Sequence, residues 1–285
     1  MPTVIRAPGV PEPTVPSRMG AMTGDEGYLL DNRQVEAGRR FDALSQLFDP
    51  VTVRHLAAIG VSAGWACWEV GAGGASVPTW LAEQVGPSGR VVASDIDTAW
   101  MPAEGAAFEV LRHDGGVDPP PDGAFDLVHA RLVLTHVPQR VEALASMVRA
   151  LRPGGWLLVE DADPALQPLI CPDESGPAQQ RANRLRQGFR ALMAGRGADL
   201  AFGRTLPRLL RGAGLDAVAA DAFFPITSPA CVALEIATVQ QIRGGLVAAG
   251  LATEAEIEQH LADVASGLLD LATAPLVSAW GRAPH

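Results

Sequence analysis

The chain has 285 residues, 48% of them apolar, and a formal net charge of −10. That is enough for a substantial core in one large domain, or in one domain with a subdomain. The acidic balance, without a basic stripe interleaved with aromatics, weighs against nucleic acid as a partner, because a phosphate backbone is met by clustered Lys and Arg. No apolar run approaches the roughly 18 residues that span a bilayer, and the N-terminus lacks the parts of a signal peptide, so a cytoplasmic protein with no membrane partner is expected.

In chain order, residues 1–24 carry prolines at 2, 8, 11, 13 and 16. That spacing denies them a helix or a sheet ladder, so they read as a disordered tail. Residues 25–60 read as a helical cover, with Val35, Phe41, Leu44 and Leu47 on one side; Pro50 marks a break, so two helices are expected.

Alternation begins at Trp65. A strand over 65–70 is followed by a glycine cluster and a helix over 76–85, with Pro78 in its first turn and Gly86 at its stop. "RVVAS" (90–94) is a second strand, with a short helix expected near Thr98. "AFEVL" (107–111) and "AFDLVHA" (124–130) are the third and fourth. A helix opened by Pro138 and closed by "RPGG" leads to the fifth, "WLLVED" (156–161). Strands and helices alternating in this way predict parallel pairing in a three-layer α/β sheet, within one domain over 61–285. Two further strand-like runs, 215–226 and 270–280, flank a helical insert at about 228–268. Its first helix places Val232, Ile236, Val239, Ile242 and Leu246 on one face; its second opens with Thr253 and Glu256 at capping-box spacing. At the carboxyl end of a sheet such an insert suits a lid, and an apolar face left exposed on it would favour a homodimer. Cys67, Cys171 and Cys231 lack metal-ligand spacing and read as structural thiols, and no metal is expected.

The glycine turn after the first strand is where an open α/β sheet binds ligands. Gly71 and Gly73 fit a dinucleotide fingerprint, but Ser76 stands where its third glycine belongs. Glu69 at the mouth would also repel a diphosphate. A cationic nucleoside is attracted instead, and S-adenosylmethionine, with a sulfonium, an ammonium and one carboxylate, fits. Asp95 at the second strand end suits ribose hydroxyls, and Asp114 at the third suits the adenine amino edge. An NAD-dependent oxidoreductase on a similar sheet is the competing reading. A third reading keeps the cofactor site without methyl transfer.

With "EVGAGGA" (69–75), "VVASDID" (91–97), "RHDGG" (112–116), "FDLVHARLVLTHV" (125–137) and "LRPGGWLLVED" (151–161) in order, the chain resembles the class I S-adenosylmethionine-dependent methyltransferases, and within them small-molecule enzymes of actinobacterial natural-product type that carry "YLLDNRQ" (28–34). The resemblance implies a Rossmann-like seven-stranded sheet in the order 3-2-1-4-5-7-6, with strand 7 antiparallel. It implies that Glu69, Gly71, Ala72 and Gly73 border the methionine half of the cofactor. Asp95 with Ile96 would meet the ribose, Asp114 with Gly115 the adenine, and Ala130 and Arg131 the far side through their backbone. Tyr28 and Arg33 would reach the methionine carboxylate. Ala75 replaces a glycine common in the family and is tolerable if its φ stays negative.

In-line displacement at a sulfonium methyl needs mainly a nucleophile held about 3 Å away in a dehydrated pocket. Transfer to a small molecule, a secondary metabolite with a hydroxyl acceptor, is the expected function. His136 is the candidate base, and His129, inside a strand, reads as structural. The arginines of 179–193 read as a solvated face, and 162–178 as the substrate loop.

Overall fold

The computed structural model describes residues 29–30, 35–102 and 105–285. Tyr28, Arg33 and the 1–24 segment lie outside the described residues. The sheet has seven strands: β1 (Ala66–Val70), β2 (Arg90–Asp95), β3 (Glu109–Arg112), β4 (Phe125–Arg131), β5 (Leu151–Ala162), β6 (Asp216–Phe223) and β7 (Leu276–Arg282). Their order is β3-β2-β1-β4-β5-β7-β6. The first five are parallel, and β7 runs antiparallel to both β5 and β6. This is the expected topology. Strands β1, β2 and β4 are buried along almost their whole length, as parallel strands covered on both faces must be.

Alternation along each strand splits the core into two layers. On one face, Cys67, Val91, Leu127 and Leu158 pack under α2 (Ser76–Val85) and Leu56 of α1 (Val35–Ile59). On the other, Val70, Val128, Leu157 and Val159 pack under α3 (Arg140–Ala150) and α5 (Leu206–Gly212). Fully burying side chains such as Phe125 and Leu157 contributes about 1.5–3 kcal/mol each.

The remaining helices, α4 (Pro177–Gly195), α6 (Pro229–Ala248) and α7 (Glu254–Ala265), leave from the strand ends at one edge. Because β6 runs parallel to β5, the connections after β5 and β6 and before β7 all lie at the carboxyl edge. The insert therefore caps the edge where the glycine turn sits. Leu47 and Phe48 of α1 pack with Ala230 and Cys231 of α6, so cover and insert share one core. Leu30 joins Leu185, Val239 and Ile257 in the adjoining cluster. The expected capping box is present, with Thr253 Oγ1 accepting from the Glu256 N–H and the Glu256 carboxylate accepting from the Thr253 N–H. All three cysteines are buried and unpaired.

Three expectations need correction. Pro50 does not separate two helices; it sits inside the continuous α1. The missing N–H costs one ladder bond, but Leu47 and Phe48 before it and Thr52, His55 and Leu56 after it are all buried on the protein, so packing overrides the break. No helix forms near Thr98: the Asp97 carboxylate accepts from the Ala99 N–H at 3.0 Å and closes a turn there instead. The arginine face of α4 is not wholly solvated, since Arg186 is ion-paired to the buried Glu235 at 2.8 Å and Arg181 to Asp263.

Candidate functional site

The glycine turn is shaped by contacts from three directions. Gly71 and Gly73 have φ of 64° and 63°, in the region that L side chains avoid. A Cβ on Gly71 would meet Val133 Cγ2 at 2.3 Å, and one on Gly73 would meet the Phe41 ring at 3.0 Å. The turn is thus closed by α1 on one side and by the segment after β4 on the other. Ala75 has φ of −94°, so its methyl group is accommodated.

Asp95 ends β2 and reaches back to this turn. Its Oδ2 accepts the Gly73 N–H at 2.8 Å and its Oδ1 accepts the Asp97 N–H at 3.0 Å. Burial raises its pKa above the ordinary carboxyl value, and the two N–H donors pull it back. A carboxylate offers about four acceptor positions, so room for further donors remains. Ile96 beside it is 53% exposed, an apolar group open to solvent at the crevice. Trp100 stands edge-on to Phe41 with ring centroids 6.4 Å apart. At the end of β3, Asp114 is exposed and its Oδ1 accepts the Gly116 N–H at 2.9 Å, while Gly115 backs onto Val70. Gly71, Ala72, Gly73, Asp95, Ile96, Asp114 and Gly115 are therefore all at the carboxyl edge.

Glu69 is placed differently from a free carboxylate at the mouth. It is 2% exposed, and its Oε2 lies 2.6 Å from His129 Nδ1. Ala130 is buried, and the Arg131 side chain turns to α1, donating to Asp49 Oδ1 at 2.8 Å and Thr52 Oγ1 at 2.9 Å. Leu132 follows with φ of 58°. A branched residue in that region stores strain of about 1–3 kcal/mol, which neighbouring structure must hold; the Leu132 N–H donates to the Glu160 carbonyl at 2.8 Å. Nothing in the sequence marks Leu132, because a positive φ at leucine has no compositional signal.

His136 ends a 3-10 turn at Leu134–His136. The buried Asp161 at the end of β5 anchors the turn, its Oδ2 accepting the Thr135 N–H at 2.9 Å. Burial pushes the Asp161 carboxyl up to about 6 despite those donors. Burial, with repulsion from Arg40 and Arg140, lowers His136 to about 4. The ring is therefore neutral at pH 7 and suits hydrogen-bond acceptance better than strong base catalysis.

A buried row of acids and imidazoles crosses the sheet beneath α1. Glu69 of β1 meets His129 of β4, whose Nε2 lies 3.4 Å from Glu160 Oε2 on β5. Glu160 Oε1 is 3.1 Å from His55 Nδ1 and accepts from Ser278 Oγ at 2.7 Å, while Thr52 donates to Oε2. His55 Nε2 is 3.1 Å from Asp221 on the outer strand β6. Burial opposes charging His129, yet the Glu69 and Glu160 carboxylates raise it to about 9. Burial likewise opposes the Glu160 charge, and the two imidazoles hold it far below the ordinary carboxylate range.

A family model for the methyltransferase domain matches residues 68–159, from β1 to the end region of β5. Over that stretch the chain is similar to the methyltransferase domain. Methyltransferase str3 of Strobilurus tenacellus is 33% identical over 150 residues, 50% of each chain. The ubiquinone/menaquinone biosynthesis C-methyltransferase UbiE of Hahella chejuensis is 31% identical over 120 residues, 39% of this chain and 48% of its own. The chain spans about half the length of these curated relatives. Phosphoethanolamine N-methyltransferase 2 of Haemonchus contortus, solved with phosphomonomethylethanolamine and S-adenosylhomocysteine, superposes with TM-score 0.55 at 14% identity, over 92% of this chain and 61% of that one. A candidate methyltransferase from an antibiotic biosynthesis pathway of Anabaena variabilis gives TM-score 0.56 at 16% identity, over 82% and 96%. At such identities the likeness is one of fold. The α4, α6 and α7 cap lies outside the matched 68–159.

Proposed function

We propose that this chain transfers a methyl group from S-adenosylmethionine to a hydroxyl of a small-molecule acceptor, a secondary metabolite. The observation that carries the reading is the bridge between Asp95 Oδ2 and the Gly73 N–H, 2.8 Å, which draws the first two strand ends into one crevice. The donor set fits the cofactor: a carboxylate with acceptor capacity left, glycine backbone that cannot bear a side chain at 71, and exposed Ile96 beside it. When bound, S-adenosylmethionine supplies an electrophilic methyl group on its sulfonium.

Asp95 with Ile96 would hold the ribose and Asp114 with Gly115 the adenine, while Gly71, Ala72 and Gly73 let the backbone approach the methionine half. The cap of α4, α6 and α7 at the same edge would exclude water from the acceptor, which favours displacement by holding the nucleophile in place. His136, neutral at pH 7, would accept the hydrogen bond of the acceptor hydroxyl and orient its lone pair. The antibiotic-pathway relative in fold supports a metabolite acceptor, and the C- and N-methyltransferases among the similar proteins make the acceptor atom the point to test.

Incubation with methyl-labelled S-adenosylmethionine and a panel of hydroxylated small molecules should give a labelled ether. Calorimetry should show saturable S-adenosylhomocysteine binding. Saturable NADH binding with none for S-adenosylhomocysteine would overturn the reading.

A further inference from the structure

The acid–imidazole row does work that the proposed reaction has not used. We propose that His129 is a positioning residue for the cofactor turn: it fixes the carboxylate of Glu69, two residues before Gly71, and Glu160 and His55 hold it in that role. The proposal rests on the reading that this turn takes the cofactor.

Glu69 and His129 are paired neighbours on β1 and β4, and Glu160, Ser278 and Asp221 are paired neighbours on β5, β7 and β6. Side chains in such a line share one face of the sheet. That face is covered here by α1, which contributes His55 and Thr52 to the row. Glu69 sits two residues before Gly71, so where its carboxylate points is tied to the conformation of the turn. Its Oε2 is held by His129 at 2.6 Å, and the other ring nitrogen of His129 faces Glu160. An imidazole gripped at both nitrogens cannot rotate, and the order in which it holds its neighbours is set.

Glu69, Glu160 and Asp221 alternate with His129 and His55, and Arg54 meets Asp221 at 2.8 Å where the row reaches the surface. Arg131 and Asp49 form a separate pair beside it. Removing one member of a buried ion pair strands the other without compensation. Loss of the His129 ring would leave the buried Glu69 carboxylate without its 2.6 Å partner and free to turn away. The acid beside the turn would then no longer be fixed where the ammonium end of the cofactor would lie. The adenosine end, held from β2 and β3, has no stake in it.

This asymmetry sets the experiment. Affinities of the full chain for S-adenosylhomocysteine and for 5′-methylthioadenosine, which lacks the amino-acid end, are compared in the unsubstituted protein and in His129→Gln. The expected result is at least a tenfold loss for S-adenosylhomocysteine, with 5′-methylthioadenosine unchanged within twofold. A merely structural defect would weaken both ligands together, and that outcome overturns the proposal, as does an unchanged S-adenosylhomocysteine affinity. If His129→Gln does not fold, His55→Gln, at the α1 end of the row, takes its place: a selective loss of at least threefold for S-adenosylhomocysteine supports the role, and equal effects on both ligands refute it. Failure of the unsubstituted protein to bind either ligand would instead reject the cofactor reading itself, and the role of His129 with it.

Discussion

Asp95 joins two demands in one side chain. It satisfies the Gly73 and Asp97 N–H groups, and the proposed function adds ribose hydroxyls to the same carboxylate. Asp95→Ala should therefore weaken S-adenosylhomocysteine binding by about 1.5–3 kcal/mol, the scale for hydrogen bonds to a charged group. Calorimetry reads this as a loss of more than tenfold, and unchanged affinity would take Asp95 out of the ribose site. The position of this residue was legible in the sequence, since an acid closing a strand of an alternating α/β pattern has a defined place. Glu69 was legible in position but not in state. Its partner His129 is 60 residues away and looks like any polar residue within a strand; only the β1–β4 register places the two side by side.

At the scale of elements, the cap is joined by a buried polar contact. Glu235 of α6 accepts from Arg186 of α4 at 2.8 Å and lies 2.8 Å from His260 Nε2 of α7. Burial resists its charge, but Arg186 and His260 hold it below the ordinary carboxylate range. Glu235→Ala would strand both partners, and a broken buried pair typically costs about 3–5 kcal/mol. Hydrogen exchange should then rise through α4, α6 and α7 while β1, β4 and β5 keep their protection; equal loosening of the sheet would show that the cap and the sheet open as one unit. Helical periodicity located these helices, and Thr253 with Glu256 marked the start of α7. What periodicity could not give was the neighbour each face would meet, so the arginines of α4 read as solvated. Pro50 misled for the same reason, because α1 is held by burial against the sheet and α6 rather than by its own ladder alone.

For the whole molecule, the titrating groups set a stability profile. His129 is raised from 6.5 to about 9, so its contribution is complete below pH 6.5 and is lost as pH rises through 9. His136 is lowered from 6.5 to about 4, so its contribution is present above pH 6.5 and is lost as pH falls through 4. Glu160, Asp163 and Glu235, all held below their ordinary values, steepen the acid loss, and Asp161, raised to about 6, works against it. Melting temperature should peak near pH 6.5 and decline toward 9, and in His129→Gln the alkaline decline should flatten. A profile that keeps its alkaline slope in that variant would assign the slope elsewhere. Alternating strands and helices made a parallel α/β sheet legible, but the order of its seven strands came only through the family resemblance, because periodicity does not say which strands are neighbours.

The antiparallel strand between β5 and β6 also governs how the chain is made. Until Leu276–Arg282 leave the ribosome, two long strands wait with bare hydrogen-bonding edges, one of them carrying Glu160, whose seryl partner has yet to arrive. The sheet cannot close before this strand is made, and any nascent chain stalled short of that point is a template for unwanted strand pairing.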